Sequence, residues 1–323
     1  MRKGEQKMSN KLNILFGYQG AFDLTAEEEE TFRRDFPDCS FKFKAPDDYT
    51  DEECAEADVF IGMFNPRQMQ AAKKLKWLQA STVGVDRYEG YVDTEKTLVS
   101  NSQNLFNKCM GEHTFAMMIA WSRALLLQRD SQNRREWVLH DIPSDLFDKT
   151  VAVFGLGGIG TDVAKKCKAF DMKVIGVRRN TANKPDYVDE IYSLDHTNEI
   201  LARADFVILA VPLTEQTYHL INRETLKLMK PTAYLLNVAR GEVVDTDALV
   251  EALQNKTIAA AGLDVVYPEP LPADHPLWSM DNVFITPHRA NASPTTNRFR
   301  FKFYYENLTR YLAGEPLKNQ VKM

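Results

Sequence analysis

Short apolar runs alternate with amphipathic stretches along most of the chain. In the first third of the chain, the segments 26–36 and 65–75 have helical character. The apolar runs between such stretches predict strands at 12–16, 41–43, 58–61, 77–80 and 97–100. Strands that alternate with helices predict a parallel sheet covered by helices on both faces. This part of the chain is therefore expected to form a first α/β domain.

A second series of strands and helices begins at residue 151. Its strands are predicted at 151–154, 173–177, 206–211, 233–238, 259–265 and 283–286. The segment 108–130 before it predicts one long helix, which is apolar on most sides through Met117, Trp121 and 125–127 and is expected to be largely buried. The polar segment 133–149 is expected to be a crossover loop. Six strands of this kind predict a second doubly wound domain.

The first strand of the second series runs into the sequence Gly-Leu-Gly-Gly-Ile-Gly at 155–160, and a helix-like stretch and a second strand follow. In this context the first glycine permits a tight turn, the second admits a pyrophosphate, and the third lets helix and strand pack closely. The start of the helix offers N–H groups to phosphates. A glycine turn without a ligand is the structural alternative, but the flanks favour dinucleotide binding. The predicted cofactor contacts in this turn are Gly155, Gly157, Gly158, Ile159 and Gly160.

The strand at 173–177 ends in Arg178 and Arg179 rather than in an acidic residue. A carboxylate at this place would bond the ribose 2′-hydroxyl of NAD, whereas guanidinium groups bind a 2′-phosphate. A basic surface turn is the alternative interpretation. We expect NADP(H) as the preferred cofactor, with NAD(H) possible.

Three later strands of the second series are followed by ionisable residues. They are Arg240 after the fourth strand, Asp264 and Glu269 after the fifth, and His288 after the sixth. Open α/β sheets bind ligands at the carboxyl ends of their strands. Arginine can capture a carboxylate bidentately, and a histidine beside a carboxylate can give and take a proton. A surface arginine and a structural histidine are the alternatives, but with a nicotinamide cofactor the set would reduce a carbonyl next to a carboxylate.

The helical segment 293–312 follows the second sheet and carries an apolar stripe, Phe299, Phe303, Tyr304, Leu308 and Leu312. We expect it to pack on the first domain. The predicted fold class is α/β with two doubly wound parallel-sheet domains. A Rossmann NAD(P)-binding domain, 105–290, would be inserted into a flavodoxin-like substrate (catalytic) domain formed by 1–104 and 291–323. The cleft between them is the expected site.

The composition narrows the possible partners. The 323 residues carry a net charge of −5, so no broad surface for nucleic acid is indicated. No apolar run is long enough to span a membrane. The segment 1–8 is charged and is expected to be a loose leader rather than a signal peptide. The four cysteines show no metal-binding spacing, which predicts reduced thiols in a cytoplasmic protein without a metal.

These motifs together resemble the D-isomer-specific 2-hydroxyacid dehydrogenase family, and in particular its glyoxylate/hydroxypyruvate reductase branch. The resemblance extends from about 12 to 316. It is carried by the glycine turn, by Val-Pro-Leu-Thr at 211–214, by Asn-Val-Ala-Arg-Gly at 237–241, by the segments 263–272 and 286–288, and by Gly-Glu-His-Thr at 111–114. It implies that Arg240, Glu269 and His288 are catalytic.

The resemblance also implies the remaining site residues. The backbone of Val83 and Gly84 would bind the substrate carboxylate, together with Arg240 and His288. Asp264 would bond the nicotinamide carboxamide. Further cofactor contacts would be Val211, Pro212, Thr217, Val238, Ala239, Arg240 and His288. Members of the family are commonly dimers, so a homodimer is expected.

Several alternatives stay open. Arg178 stands where many members have Asp, and Arg289-Ala290 stand where small residues are common. Glu269 rather than Gln argues against formate dehydrogenases, and the length argues against the longer phosphoglycerate dehydrogenases. The expected activity is NADPH-preferring reduction of a 2-oxoacid. The alternatives are an NAD-dependent D-2-hydroxyacid dehydrogenase and a non-catalytic dinucleotide-sensing protein.

Overall fold

The computed structural model describes residues 11–18 and 23–322, so the expected leader at 1–8 lies outside the described residues. The chain divides into two compact units. Unit 1 consists of Met1–Leu105 and Ser293–Met323, and unit 2 is Phe106–Ala292. Each unit contains its own parallel sheet.

The first part of unit 1 alternates strands and helices. The strands are β1 Leu12–Gly17, β2 Cys39–Lys44, β3 Val59–Gly62, β4 Trp77–Ala80 and β5 Leu98–Ser100. The helices are α1 Ala26–Asp35, α2 Asp51–Ala55 and α3 Pro66–Ala71. The sheet order is β2-β1-β3-β4-β5, and every neighbouring pair is parallel. All residues of β3 and β4 are buried, because a doubly wound sheet is covered on both faces.

Unit 2 contains seven parallel strands in the order β12-β11-β10-β9-β6-β7-β8. They are β6 Thr150–Phe154, β7 Lys173–Val177, β8 Glu190–Tyr192, β9 Phe206–Leu209, β10 Tyr234–Asn237, β11 Ala260–Leu263 and β12 Val283–Ile285. The helices are α4 Asn107–Ser122, α5 Leu125–Arg134, α6 Gly158–Ala169, α7 Thr197–Arg203, α8 Arg223–Leu228 and α9 Thr246–Gln254. Two apolar clusters cover the two faces of this sheet. The predicted α/β fold with two parallel sheets is confirmed.

The helix predicted at 108–130 is two helices, α4 and α5. They are separated at Ala124, which has a left-handed φ of 52°. The break turns α5 out of the core, so Leu125 and Leu127 are 46% and 38% exposed, against the expectation that they are buried. The apolar pattern alone did not indicate the turn, because it continues across both helices.

The last helix, α10 Thr296–Leu312, belongs to unit 1. Its residues Phe303, Tyr304 and Leu308 lie in the same apolar cluster as β1 and α1. Phe299 and Leu312, which were predicted on the same stripe, are instead about half exposed, at 50% and 48%. In the described part of the chain, no helix combines the length and apolar character needed to cross a membrane.

Candidate active site

The glycine turn of unit 2 lies between β6 and α6. Gly155 has a φ of 95°, and a Cβ there would collide with the carbonyl oxygen of Ala210. A Cβ at Gly160 would collide with the carbonyl oxygen of Gly155, so both positions require glycine. At Gly157, a Cβ would meet no described atom within 4 Å. The turn therefore leaves an open backbone surface directly before the helix.

Gly158 and Ile159 are the first residues of α6. The N–H groups of a helix's first turn have no acceptors within the helix, and they carry the positive end of its dipole. Ile159 also packs against an apolar cluster of unit 2, and Gly158 lies against the side chain of Asn107 at the start of α4. This helix start has the geometry that binds a phosphate.

The two arginines after β7 differ in their surroundings. Arg178 is half-buried, and its Nη2 donates to the carbonyl oxygen of Asn183. Its buried Nε has no hydrogen-bond acceptor among residues 11–18 and 23–322. Arg179 is exposed and lines a cavity of about 630 Å³, together with Leu194 and Tyr218. Arg179 therefore borders open space, whereas the side chain of Arg178 is bound within the 178–183 turn.

The segment after β9 carries Val211, Pro212 and Thr217. Val211 lies beside Gly155, since its Cγ1 is 3.1 Å from the position that a Cβ would take there. Thr217 is buried, donates to the carbonyl oxygen of Pro212 at 2.6 Å and accepts from the backbone N–H of Thr214 at 2.8 Å. The Thr217 hydroxyl thus holds this loop in shape.

Arg240 follows β10 and two buried residues, Val238 and Ala239. Asn237 fixes this turn, because its Nδ2 donates to the carbonyl oxygen of Arg240 at 2.8 Å and its Oδ1 accepts from the backbone N–H of Ala239 at 3.1 Å. The Nη1 of Arg240 donates to the carbonyl oxygen of Ala239 at 2.8 Å. Asn237 is a positioning residue that the sequence motif contained without revealing its role.

Gly241 brings the Arg240 turn against the segment after β11. A Cβ at Gly241 would collide with the carbonyl group of Val266, so only glycine permits this approach. The backbone N–H of Val266 in turn donates to Oε1 of Glu269 at 3.2 Å. Arg240 and Glu269 are therefore held on adjoining loops.

Glu269 and His288 form a pair, with His288 Nδ1 lying 2.9 Å from Glu269 Oε2. Burial raises the pKa of Glu269, but the hydrogen bond and charge of His288 outweigh it, and Arg240 adds to them, so the pKa is lowered overall. The ionised carboxylate can only accept, so Nδ1 of His288 donates. The side chain of His288 is 48% exposed. Its Nε2 is thus the ring nitrogen available to a reactant.

Asp264 is 2% exposed, and its carboxylate is bound to the loop that carries His288. Oδ1 accepts from the Thr286 hydroxyl at 2.5 Å and from the backbone N–H groups of Arg289 and Ala290 at 2.9 and 3.1 Å. The backbone N–H of His288 donates to the carbonyl oxygen of Asp264 at 2.8 Å. The carboxylate of Asp264 is therefore bonded to the 286–290 loop. A contact between Asp264 and the nicotinamide stays a prediction.

His113 on α4 extends this network, and the sequence interpretation gave it no role. Its Nε2 lies 2.9 Å from the Thr286 hydroxyl and 3.6 Å from Oδ1 of Asp264. Because Thr286 gives its proton to Asp264, it accepts from His113, so Nε2 carries a proton. The Gly-Glu-His-Thr motif was the available signal, but its contact with Thr286 spans 173 positions of sequence.

Val83 and Gly84 lie in unit 1, in the loop after β4. The carbonyl oxygen of Val83 accepts from Asn101 Nδ2 at 2.7 Å, and that of Gly84 accepts from the Thr82 hydroxyl at 2.6 Å. In a trans peptide the N–H points opposite to the carbonyl, so the Gly84 N–H faces away from Asn101. Asn101 and Thr82 therefore orient a loop whose amides can donate to an anion.

The titratable side chains in the described part of the chain do not assemble a metal centre. Among residues 11–18 and 23–322, no group of three or more His, Cys, Asp or Glu side chains could hold a metal ion. The site chemistry that these residues do support is anion binding at Arg240 and proton transfer at His288.

Comparison with known proteins decides the family. A family model described as D-isomer specific 2-hydroxyacid dehydrogenase, NAD binding domain, matches residues 115–290. The chain belongs to this family. The matched residues lie within unit 2, which therefore contains the NAD-binding domain of the family. The resemblance inferred from the sequence motifs is confirmed.

Two relatives illustrate the range of the family. A glyoxylate reductase from Pyrococcus horikoshii is 35% identical over 274 residues, which cover 80% of this chain and 81% of that protein. A D-3-phosphoglycerate dehydrogenase from Methanocaldococcus jannaschii is 36% identical over 84% of this chain, but the match spans only 53% of that protein. The chain thus spans about half the length of the second relative.

Solved structures resemble the whole chain. A D-isomer specific 2-hydroxyacid dehydrogenase family protein from Aeromonas salmonicida has a TM-score of 0.85 and 29% identity, covering 97% of this chain and 99% of its own. One from Xanthobacter autotrophicus in complex with NADPH and MES has a TM-score of 0.80 and 28% identity, with coverages of 97% and 98%. D-lactate dehydrogenase from Aquifex aeolicus, complexed with NAD and lactic acid, has a TM-score of 0.78 and 26% identity, with coverages of 94% and 96%.

Proposed function

We propose that this protein is an NADPH-preferring 2-oxoacid reductase, which reduces a small substrate of the glyoxylate or hydroxypyruvate kind to the 2-hydroxyacid, with D configuration where the product is chiral. The observation that carries the proposal is the 2.9 Å contact between His288 Nδ1 and Glu269 Oε2, on a loop adjoining Arg240. Proton donor and carboxylate-binding cation are the two groups that this reduction requires of the protein.

Arg240 binds the substrate carboxylate in this mechanism. Its planar guanidinium offers two parallel N–H donors, which match the two oxygens of a carboxylate. The Asn237 side chain fixes the backbone from which this side chain extends. The same positive charge polarises the neighbouring carbonyl group. The Val83 and Gly84 amides of unit 1 are proposed as further donors to the substrate carboxylate.

His288 protonates the carbonyl oxygen as it becomes an alkoxide. The proton leaves from Nε2, because Nδ1 is bonded to Glu269. The ionised Glu269 stabilises the imidazolium before the transfer and orients the ring for it. After the transfer, the ring is neutral and keeps its proton on Nδ1, where it stays hydrogen-bonded to Glu269. Nε2 then takes up a new proton from solvent.

The residues of unit 2 fit a dinucleotide with a 2′-phosphate. The open backbone at Gly157 and the helix start of α6 suit the pyrophosphate, and the exposed Arg179 suits an additional anion. Val211, Pro212, Thr217, Val238, Ala239 and Asp264 are proposed as further contacts. When bound, the nicotinamide supplies the hydride. The NADPH complex of the Xanthobacter relative supports this preference.

An NAD-dependent D-2-hydroxyacid dehydrogenase is the second candidate. The Aquifex relative was solved with NAD and lactic acid, so structures of this kind accommodate that cofactor too. The bond between Arg178 and Asn183 also favours this candidate, because it leaves one arginine instead of two for a phosphate. A protein that senses dinucleotides without turnover is the third candidate, and none of the contacts described above favours it.

A homodimer is proposed as the assembled form. The segment after α5 exposes Trp137 at 97%, Leu139 at 91% and Phe147 at 57%. Exposed apolar side chains at such density are typical of an interface. We propose that a second copy of this chain covers them. The cysteines Cys39, Cys54, Cys109 and Cys167 form no disulfide, which supports the proposed cytoplasmic location.

Initial rates with glyoxylate, hydroxypyruvate, pyruvate and phenylpyruvate, each with NADPH and with NADH, test the function. We expect NADPH oxidation with at least one of the small 2-oxoacids, and a D-configured product from hydroxypyruvate, pyruvate or phenylpyruvate, whose products are chiral. Tight binding of either cofactor without turnover of any 2-oxoacid would support the sensor instead. Equal kcat/KM with NADH and NADPH would favour the NAD-dependent candidate.

A further inference from the structure

The segment that follows α10 lies along the β5 edge of the unit 1 sheet. Gln320 pairs with Ser100 of β5 in an antiparallel bridge, and the backbone N–H of Val321 donates to the carbonyl oxygen of Val99 at 2.9 Å. Leu317 is buried in the apolar cluster that also contains residues of β1 and α1. An edge strand presents backbone groups without a partner strand, and these bonds use some of them. The segment is therefore bonded to the sheet of unit 1.

Asn319 in this segment contacts the residues that directly follow β5. Its carbonyl oxygen accepts from the backbone N–H of Asn101 at 3.1 Å, and its Nδ2 donates to the carbonyl oxygens of Asn101 at 3.4 Å and Gln103 at 2.7 Å. Its φ of 53° is left-handed, a conformation in which asparagine is several-fold enriched. The backbone of Asn101 is thus held by both the backbone and the side chain of one residue, which lies 218 positions later in the chain.

Asn101 and Ser102 in turn hold two consecutive peptide groups of the loop after β4. The carbonyl oxygen of Thr82 accepts from the backbone N–H of Ser102 at 2.9 Å, and the carbonyl oxygen of Val83 accepts from Nδ2 of Asn101 at 2.7 Å. Both peptide groups are trans, so the N–H groups of Val83 and Gly84 point away from these two partners. The segment after β5 therefore sets the directions of the two amides proposed to bind the substrate carboxylate.

The two residues that hold the loop are buried, whereas the loop itself is accessible. Asn101 is 5% exposed and Ser102 is fully buried, and the Ser102 hydroxyl also donates to the carbonyl oxygen of Ala80 at 2.8 Å. Buried hydrogen bonds resist breaking, because a buried group left without its partner keeps the full cost of its desolvation. Val83 and Gly84 are only half-buried, so a ligand can reach their amides. The chain of bonds thus connects a rigid interior with an accessible loop.

We propose that Asn319 is a positioning residue for substrate binding, which acts through Asn101 on the Val83 and Gly84 amides. The proposal rests on the proposed reduction of a 2-oxoacid whose carboxylate these amides bind. The carboxylate is bound in the same way before and during hydride transfer, so misdirected amides weaken binding without changing the chemical step. A role in folding alone would instead reduce the fraction of active protein, which lowers the apparent kcat and leaves KM unchanged.

The test measures KM and kcat for glyoxylate and hydroxypyruvate, at saturating NADPH, in Asn101→Ala, Asn319→Gly and the double variant. Glycine adopts a left-handed φ without strain, so Asn319→Gly removes only the side chain. We expect KM to rise about 10-fold in Asn101→Ala and about 3- to 10-fold in Asn319→Gly, the value of one hydrogen bond, with kcat within about twofold. The double variant should match Asn101→Ala, because both changes act on the same peptide groups.

Asn13→Ala is the matched control. Nδ2 of Asn13 likewise donates to a carbonyl oxygen, that of Glu56 at 3.0 Å, but Asn13 lies near the start of β1, at the end of the parallel sheet opposite to the loop after β4. Thermal unfolding followed by circular dichroism verifies that each variant folds. If Asn13→Ala raises KM as much as Asn101→Ala does, if Asn101→Ala lowers only kcat, or if the two changes multiply in the double variant, the positioning proposal is wrong and the reductase proposal stands.

If no 2-oxoacid is reduced, the reductase proposal fails, and a titration with oxalate decides about the positioning role. Oxalate presents a carboxylate next to a second carbon that carries oxygen, which is the shape of a small 2-oxoacid. Its calorimetric Kd in the presence of NADPH should then rise in Asn101→Ala and in Asn319→Gly by the factors expected for KM. Equal binding to the wild type and both variants, or no binding to the wild type, would overturn the role of Asn319.

Discussion

The hydroxyl of Thr286 lies 2.5 Å from Oδ1 of Asp264 and joins β12 to the end of β11. It is one of several bonds by which one buried carboxylate holds the loop on which His288 lies. The His288 residue has a left-handed φ of 52°, a conformation that a non-glycine residue adopts only when its surroundings impose it. Asp264 supplies those surroundings.

Asp264→Asn tests this role. The amide group would put an N–H against the donors of Arg289, Ala290 or Thr286, so we expect a loss of about 1–3 kcal/mol in the free energy of unfolding. We also expect a fall in kcat, because the His288 loop loses its anchor. Urea unfolding and steady-state rates measure the two effects. The exposed Asp281→Asn is the control, and an Asp264→Asn protein as stable and active as that control would contradict the role.

His288→Gln should reduce kcat by about 10²–10⁴, which is the usual contribution of a general acid. NADPH affinity, measured by fluorescence titration, should stay within a few fold of wild type, because the exposed ring makes no bond that shapes the cofactor turn. His196→Gln replaces another exposed histidine and should leave kcat unchanged. Near-normal turnover in His288→Gln would exclude this residue as the proton donor.

The Glu269 pair gives a pH dependence with a definite sign. The pKa of Glu269 is lowered by His288, so the stabilisation is present above the ordinary carboxyl pKa of about 4.3 and is lost as the pH falls through the lowered value. Glu269→Gln should therefore be less stable than wild type near pH 6, and the difference should shrink below about pH 4. Melting temperatures from pH 3 to pH 7 measure it. A difference that is constant over this range would show that the ionic pair contributes nothing.

How far the sequence predicts the site depends on the range of the interactions. The glycine turn was predictable because strand, turn and helix are contiguous and each glycine meets a local steric need. The Arg240, Glu269 and His288 set was predictable because parallel strands place their carboxyl ends at one edge. The partners that shape these loops were not predictable, because they are distant in sequence. His113, for example, contacts Thr286, which lies 173 positions later in the chain.

The errors in the fold have similar causes. The strand β8 is short, half-buried and at the edge of its sheet, so it lacks the apolar run that marks the other strands. The break at Ala124 lies within a continuous apolar pattern and is visible only in its φ of 52°. The sequence also predicted equivalent roles for Arg178 and Arg179. In the structure, Arg178 donates to the carbonyl oxygen of Asn183, whereas Arg179 lines an open cavity.

The exposed segment after α5 predicts a dependence of assembly on Trp137. Trp137→Ser should shift the proposed dimer toward monomer in sedimentation velocity, because the most exposed large side chain of the segment is lost. Trp278→Ser is the control, since Trp278 is also exposed, at 52%, but lies outside this segment. A wild-type protein that is monomeric at micromolar concentration would contradict the proposed homodimer.

The last prediction separates the two arginines after β7. Arg179 lines the open cavity, so Arg179→Ala should lose most of the preference for NADPH, by about 10- to 100-fold, which is the value of one charge-assisted contact to phosphate. Arg178→Ala should lose less unless its side chain leaves the carbonyl oxygen of Asn183 on cofactor binding. NADH affinity is the internal control and should change little in Arg179→Ala.

Raising the salt concentration should weaken NADPH binding more than NADH binding in the wild type, since the extra contact is ionic. Fluorescence titrations of both cofactors at low and high salt measure all of these effects. If the wild type binds the two cofactors equally, the arginines form only a surface turn and the proposed NADPH preference is wrong. If Arg179→Ala keeps the full preference, Arg179 does not bind the 2′-phosphate.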